Sequence, residues 1–187
     1  MPVLRAKHIP NAICVMRILL VAPIVMLLLE QRYLHGLVLI VLAGLSDGLD
    51  GFLARRFNWT TRIGGLLDPL ADKLLLVSVF AALAWVGHVP GWLFLVVVGR
   101  DLTIVSGGIA YEYLIGRVEP HPSRVGKLNT VVALVYLFLV MTGQVFGWPT
   151  DVAILTAGAL VLVVSIVSGL DYVLTWSRLA RAARLAA

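Results

Sequence analysis

Six stretches of apolar sequence, each near the length a helix needs to cross a bilayer, constrain this chain more than any other feature. A transmembrane helix takes about 20 apolar residues, because the hydrocarbon core is about 30 Å thick and each helical residue rises about 1.5 Å. Runs of that kind fall at residues 11–30, 34–57, 65–86, 91–115, 125–146 and 152–176. The breaks between them are short and rich in turn formers: Gln31-Arg32-Tyr33, Asn58-Trp59-Thr60-Thr61, Gly87-His88-Val89-Pro90, Glu119-Pro120-His121-Pro122 and Gly147-Trp148-Pro149. Only 13% of the 187 residues are charged, against about a quarter in an average soluble domain. A water-soluble globule is excluded. The expected fold is an all-α integral membrane protein of six transmembrane helices, a single domain over residues 1–187.

Charge sorts by side. Arg5, Lys7 and Arg17, then Arg55, Arg56 and Arg62, then Arg117, Arg124 and Lys127, then Arg178, Arg181 and Arg184 occupy alternate ends of the runs, while the opposite ends carry Arg32 alone. Cytoplasmic loops are enriched in Lys and Arg, which puts both termini and the second and fourth loops in the cytoplasm. A formal charge of +5 on so apolar a chain suits anionic lipid, not nucleic acid. No small-residue cleavage site follows the first run, so it is expected to persist as a helix. The short leader ahead of it points to a bacterial cytoplasmic membrane. Arginines at 178, 181 and 184 keep helical spacing and are expected to extend the last helix along the membrane surface. Trp59, Trp85, Trp92, Trp148 and Trp176 lie near helix ends, as interfacial anchors do. The lone Cys14 excludes an internal disulfide and a thiolate zinc cluster, and the four histidines have no metal-ligand spacing.

The acidic residues are out of place for a passive bundle. Asp47, Asp50, Asp68, Asp72 and Asp101 fall inside or at the edge of the apolar runs, where a carboxylate costs on the order of 3 kcal/mol at the centre of a span. At 100° per residue, Asp47, Asp50, Gly51 and Ala54 fall within an arc of about 100° on the second helix, and Asp68 and Asp72 lie one turn apart on the third. The short loop between these helices predicts that they are antiparallel neighbours. Gly44, Gly48 and Gly51 thin the second helix, either for ordinary helix packing or for close approach of a flat ligand. Clustered carboxylates repel unless a cation sits among them, and an all-oxygen set favours Mg²⁺ or Mn²⁺ over zinc. Arg55, Arg56 and Arg62 stand nearby to pair the aspartates or to bind phosphate.

Written out, the stretch is Asp47-x2-Asp50-Gly51-x2-Ala54-Arg55-x8-Gly64-x3-Asp68-x3-Asp72. It resembles the signature of the CDP-alcohol phosphotransferase (phosphatidyltransferase) family at all eight fixed positions, a match rarer by chance than about one in 10⁸ per starting point at average residue usage. The Ile9-Pro10-Asn11 start and Pro69-Leu70-Ala71-Asp72-Lys73 resemble the phosphatidyl-transferring branch. The resemblance implies that an acceptor hydroxyl attacks the lipid-linked phosphorus of CDP-diacylglycerol and that CMP leaves. It implies a pair of Mg²⁺ or Mn²⁺ ions held by Asp47, Asp50 and Asp68, with secondary contact from Asp72, and it makes Asp72 the base. Asp47, Gly51, Ala54, Arg55 and Gly64 would form the CDP subsite, and relatives are commonly homodimers.

For the acceptor, Arg100, Arg124 and Lys127 keep cations where an anionic molecule can be held. Glycerophosphate-using relatives usually show Arg-Glu and a second Lys at the places of Arg100-Asp101 and Asn129. The departures resemble the cardiolipin synthases, which favours phosphatidylglycerol as acceptor over glycerol 3-phosphate. Two other classes compete. An ion or proton transporter would use the aspartates as relay sites, though they cluster at one face instead of leading across. A scaffold would only pair them with Arg55, Arg56 and Lys73.

Overall fold

A computed structural model describes residues 9–57, 64–114 and 123–186. Within them, the side chains of residues 9–13, 47, 49–55, 57, 64–69, 112, 114, 124, 180 and 182–186 lie outside the description. The described chain is all helical: α1 (Ile9–Leu29), α2 (Tyr33–Phe57), α3 (Gly64–Trp85), α4 (Gly91–Leu114), α5 (Arg124–Phe146) and α6 (Asp151–Ala186).

The helices end where the sequence supplies the means to end them. After α1, the N–H of Arg32 bonds Leu27 O at 2.8 Å and that of Gln31 bonds Leu28 O at 3.0 Å. This is a Schellman closure that drives Gln31 to φ 59°. The same pair of bonds closes α3 through His88 and Gly87, where glycine takes φ 86° without a Cβ penalty. At the end of α5, Gly147 sits at φ 67° and its N–H bonds Gly143 O. Ser123 caps the start of α5, its hydroxyl accepting from the Gly126 N–H at 3.0 Å.

Among the described residues, three helical stretches are long and apolar enough to cross a membrane, Gly91–Tyr111, Val125–Phe146 and Asp151–Leu179. Shorter apolar stretches cover Cys14–Leu29 and Tyr33–Ser46. Large apolar side chains stand exposed along them, Leu95, Val152 and Leu155 among others, which suits lipid as solvent. The C-terminal arginines belong to a single unbroken α6. Trp85, Trp92 and Trp148 are exposed near helix ends as expected, and Trp59 lies outside the described residues. Trp176 instead packs on α4, its ring 3.4 Å from where a Cβ on Gly107 would stand and tilted against Tyr111.

Contacts divide the chain into two units, Met1–Val89 with Gln144–Phe146, and Pro90–Gly143 with Gly147–Ala187. In the first, α1 packs along both α2 and α3. The expected direct packing of α2 on α3 is not among the extensive helix pairs of the described residues. Both α2 and α3 instead pack on α1. Its buried stripe is Cys14, Arg17, Val21, Ile24 and Leu28, at alternating spacings of three and four. Contacts advance together on α1 and α3: Arg17 meets Asp72, and further along Val25 and Leu29 line a 310 Å³ groove with Ser78, Ala81, Ala82 and Trp85. These two helices are therefore parallel.

In the second unit, α4 packs on α6. Arg100 meets Ser168, and Gly107 meets Trp176, so this pair is parallel too. Between α5 and α6 the order reverses. Asn129 meets Ser165, a Cβ on Gly158 would touch Tyr136, and one on Gly143 would stand 2.9 Å from Ile154. They are antiparallel, with small residues admitting large ones.

Candidate active site

Topology collects the signature at one end of the first unit. A three-residue turn, 30–32, joins α1 to α2, so the C-terminal half of α2 returns to the end where α1 begins. Because α3 runs parallel to α1, its N-terminal half starts at that same end. Positions 47, 50, 51, 54 and 55 lie on α2 and positions 64, 68 and 72 on α3. All eight fixed positions of the signature thus lie on helix halves at one end of the first unit. The side chains of Asp47, Asp50, Gly51, Ala54, Arg55, Gly64 and Asp68 are outside the described ones. A Cβ added at Gly44 or Gly48 would meet nothing within 4 Å. Among the described residues, nothing presses on α2 at these two glycines.

Asp72 is the described member of the set. Its Oδ1 accepts from Arg17 Nη1 at 2.6 Å. Arg17 is 2% exposed while the Asp72 side chain is 53% exposed. Sequence reasoning placed Arg17 among the charges that set topology and missed this pairing. The available signal was its place in the three-four stripe that α1 buries. Arg56 is exposed on α2. Among the described side chains, no three His, Cys, Asp or Glu gather as a metal would require. The four aspartates offer only oxygen, which is the donor chemistry that suits Mg²⁺ or Mn²⁺.

Arg100 sits in the second unit with its guanidinium engaged. Nη1 donates to Asp101 at 2.5 Å, Nε and Nη2 donate to Ser168 Oγ at 3.1 and 2.5 Å, and the group lies 5.6 Å from the centre of the Tyr172 ring. Both charged partners are largely buried. Beside them the Tyr172 hydroxyl accepts from the Ser123 N–H at 3.2 Å, tying α6 to the start of α5. Lys127 is exposed one turn in, and the Arg124 side chain is outside the described ones. Deeper, Ser165 donates to Asn129 Oδ1 at 2.8 Å, both residues being buried. Ser165, Ser168 and Tyr172 follow Gly158 and Val161 down one face of α6, a polar stripe that sequence reasoning passed over. Among the described residues, those lining the groove at Val25 and Trp85 carry no titratable group.

The signature positions thus sit on helix halves at one end of a unit whose helices carry an apolar exterior. The sequence model of the family described as CDP-alcohol phosphatidyltransferase matches residues 7–176, and the chain belongs to that family, whose members are enzymes that transfer phosphatidyl groups. It is 39% identical over 129 residues to a CDP-diacylglycerol--glycerol-3-phosphate 3-phosphatidyltransferase of Aquifex aeolicus, covering 66% of this chain and 70% of that protein. It is 36% identical over 157 residues to a cardiolipin synthase (CMP-forming) of Streptomyces coelicolor, covering 80% and 72%. A human cardiolipin synthase (CMP-forming) is 29% identical over 160 residues, covering 77% of this chain and 53% of that protein.

Proposed function

We propose that this chain transfers the phosphatidyl group of CDP-diacylglycerol to a hydroxyl of a glycerol-type acceptor and releases CMP. It does so at the cytoplasmic face of a bacterial cell membrane, with six helices spanning the bilayer and both termini in the cytoplasm. The observation that carries this is the complete eight-position signature in a chain of this family. Asp47, Asp50 and Asp68, with Asp72, would hold Mg²⁺ or Mn²⁺. When bound, a pair of such ions neutralises the pyrophosphate and the charge on the departing CMP phosphate.

The remaining work falls to the chain itself. Asp72 accepts the proton of the acceptor hydroxyl as that oxygen attacks the lipid-linked phosphorus and the bond to CMP breaks. Gly51, Ala54 and Gly64 leave room for the nucleotide, Asp47 borders the same subsite, and Arg55 supplies charge to its phosphate. Arg100, Arg124 and Lys127 are the residues proposed to bind the anionic acceptor. Arg100, held by Asp101 and Ser168, also fixes α4 against α6.

Phosphatidylglycerol is the acceptor we favour, giving cardiolipin. The support is that the two residues departing from the glycerophosphate pattern are engaged within the protein, Asp101 with Arg100 and Asn129 with Ser165. Glycerol 3-phosphate is the second reading, favoured by the identity with the Aquifex relative. The test offers purified protein, CDP-diacylglycerol and Mg²⁺ with each acceptor in turn. Cardiolipin with phosphatidylglycerol is expected. Phosphatidylglycerophosphate as sole product overturns the acceptor, and no CMP with either overturns the enzyme activity proposed here.

A further inference from the structure

The two arginine–aspartate pairs differ in a way that assigns a role to Arg17. In the Arg100–Asp101 pair both side chains are withdrawn, at 8% and 16% exposure. In the Arg17–Asp72 pair the guanidinium is buried at 2% and the carboxylate is open at 53%. A cation that only set topology would lie at an exposed helix end. Arg17 instead occupies a core position of α1 between Cys14 and Val21, both buried, where a charge is tolerated only with a partner. That partner is 55 residues away on another helix, so the contact fixes α1 and α3 at the end where the signature lies.

We infer that Arg17 is a positioning residue for the reaction: its guanidinium holds the Asp72 carboxylate through Oδ1 from the buried side and fixes the rotamer in which the open side of that group meets the acceptor hydroxyl. This rests on the base role proposed for Asp72. Arginine suits the task because its planar fork sets direction as well as charge, which a lysine ammonium does not. A group transferring a proton has to be held within about 0.5 Å of its productive place, and displacements near 1 Å cost about 100-fold in rate.

The test measures CMP release from CDP-diacylglycerol by wild type, Arg17→Met, Arg17→Lys, Asp72→Asn and the Arg17→Met/Asp72→Asn double variant, each with its melting curve in detergent. For Arg17→Met, kcat is expected to fall about 30- to 100-fold with KM for CDP-diacylglycerol within about threefold, the pattern of a lost transition-state contact. Arg17→Lys is expected to fall between this and wild type. In the double variant, Arg17→Met should cost nothing beyond the loss from Asp72→Asn, because the two act as a unit. Wild-type kcat in Arg17→Met, or losses that multiply in the double variant, overturn the inference while leaving the enzyme reading intact. If Arg17→Met does not fold, Arg17→Lys decides alone: wild-type kcat overturns the inference, and a several-fold fall at unchanged KM supports it. A wild-type chain that releases no CMP overturns the functional reading and this inference with it.

Discussion

Gly126 and Gly99 are both helical glycines, and replacing each with alanine separates a crowded site from an open one. Alanine gains up to about 1 kcal/mol of helix propensity over glycine. At Gly99 a Cβ would meet nothing within 4 Å, so that gain is realised and Gly99→Ala should melt at or slightly above wild type. At Gly126 the Cβ would stand 3.1 Å from Arg100 Nη2, 3.1 Å from the Tyr172 hydroxyl and 3.2 Å from Ser123 Oγ. None of the three can withdraw freely. Arg100 is bonded to Ser168 and Asp101, Tyr172 accepts from the Ser123 N–H, and Ser123 caps α5. Helix-to-helix hydrogen bonds in a membrane are worth about 0.6 to 1.7 kcal/mol. Straining two of them costs about 1–3 kcal/mol, which exceeds the propensity gain. Gly126→Ala should therefore melt about 2–12 °C below Gly99→Ala in detergent, at roughly 2–4 °C per kcal/mol for a chain of this size. Equal melting temperatures would show that the arginine cluster yields at little cost and would refute the packing argument.

Ser165→Ala strips the buried Asn129 amide oxygen of its donor, so it should destabilise by about 1–2 kcal/mol, and adding Asn129→Leu should recover part of the loss in the same melting assay. Burial holds the His88 imidazole below its ordinary pKa of 6.5, so the unfolded chain binds the proton more readily. Stability is then full above pH 6.5 and falls as pH drops through that value; His88→Gln should flatten the melting-temperature profile between pH 7.5 and 5.5, and an unchanged slope would refute it. Arg100→Met leaves a mostly buried Asp101 without this cation, whereas Arg17→Met leaves a carboxylate open to solvent. The first should lose more melting temperature than the second, since uncompensated buried charge costs about 3–5 kcal/mol.

The helices were legible because a chain that meets lipid must satisfy its backbone internally, and apolar runs of bilayer length leave no other solution. Breaks at Gly87 and Gly147 were legible for the same reason that glycine is used there, a left-handed backbone at the helix end. Neighbours were not. In a soluble helix the buried face is the apolar face, but here Met16 and Leu19 face outward while Cys14 and Val21 face inward. Hydrophobicity therefore cannot distinguish core from lipid. Only a residue that lipid will not accept reveals the buried face of such a helix. On α1 that residue is Arg17, and on α6 it is the series Ser165, Ser168 and Tyr172. The signature was legible as a pattern of residues, whereas the cation beneath its last aspartate lay on a helix 55 residues away.

Scarce charge explains why these few polar contacts can be read so closely. With no hydrophobic drive between helices inside a bilayer, packing of small against large residues and polar bonds must set the register. In the first unit, the bond from Arg17 to Asp72 ties α3 to α1, and further along the same pair Val25, Leu29 and Trp85 line one groove. In the second unit, Arg100 to Ser168 sets α4 on α6, and Asn129 to Ser165 sets α5 against it. A one-turn slip of α3 along α1 would carry Asp72 off Arg17, leaving a guanidinium buried without this carboxylate. The register of the helix that bears the last two aspartates is thus locked by the same bond that holds one of them.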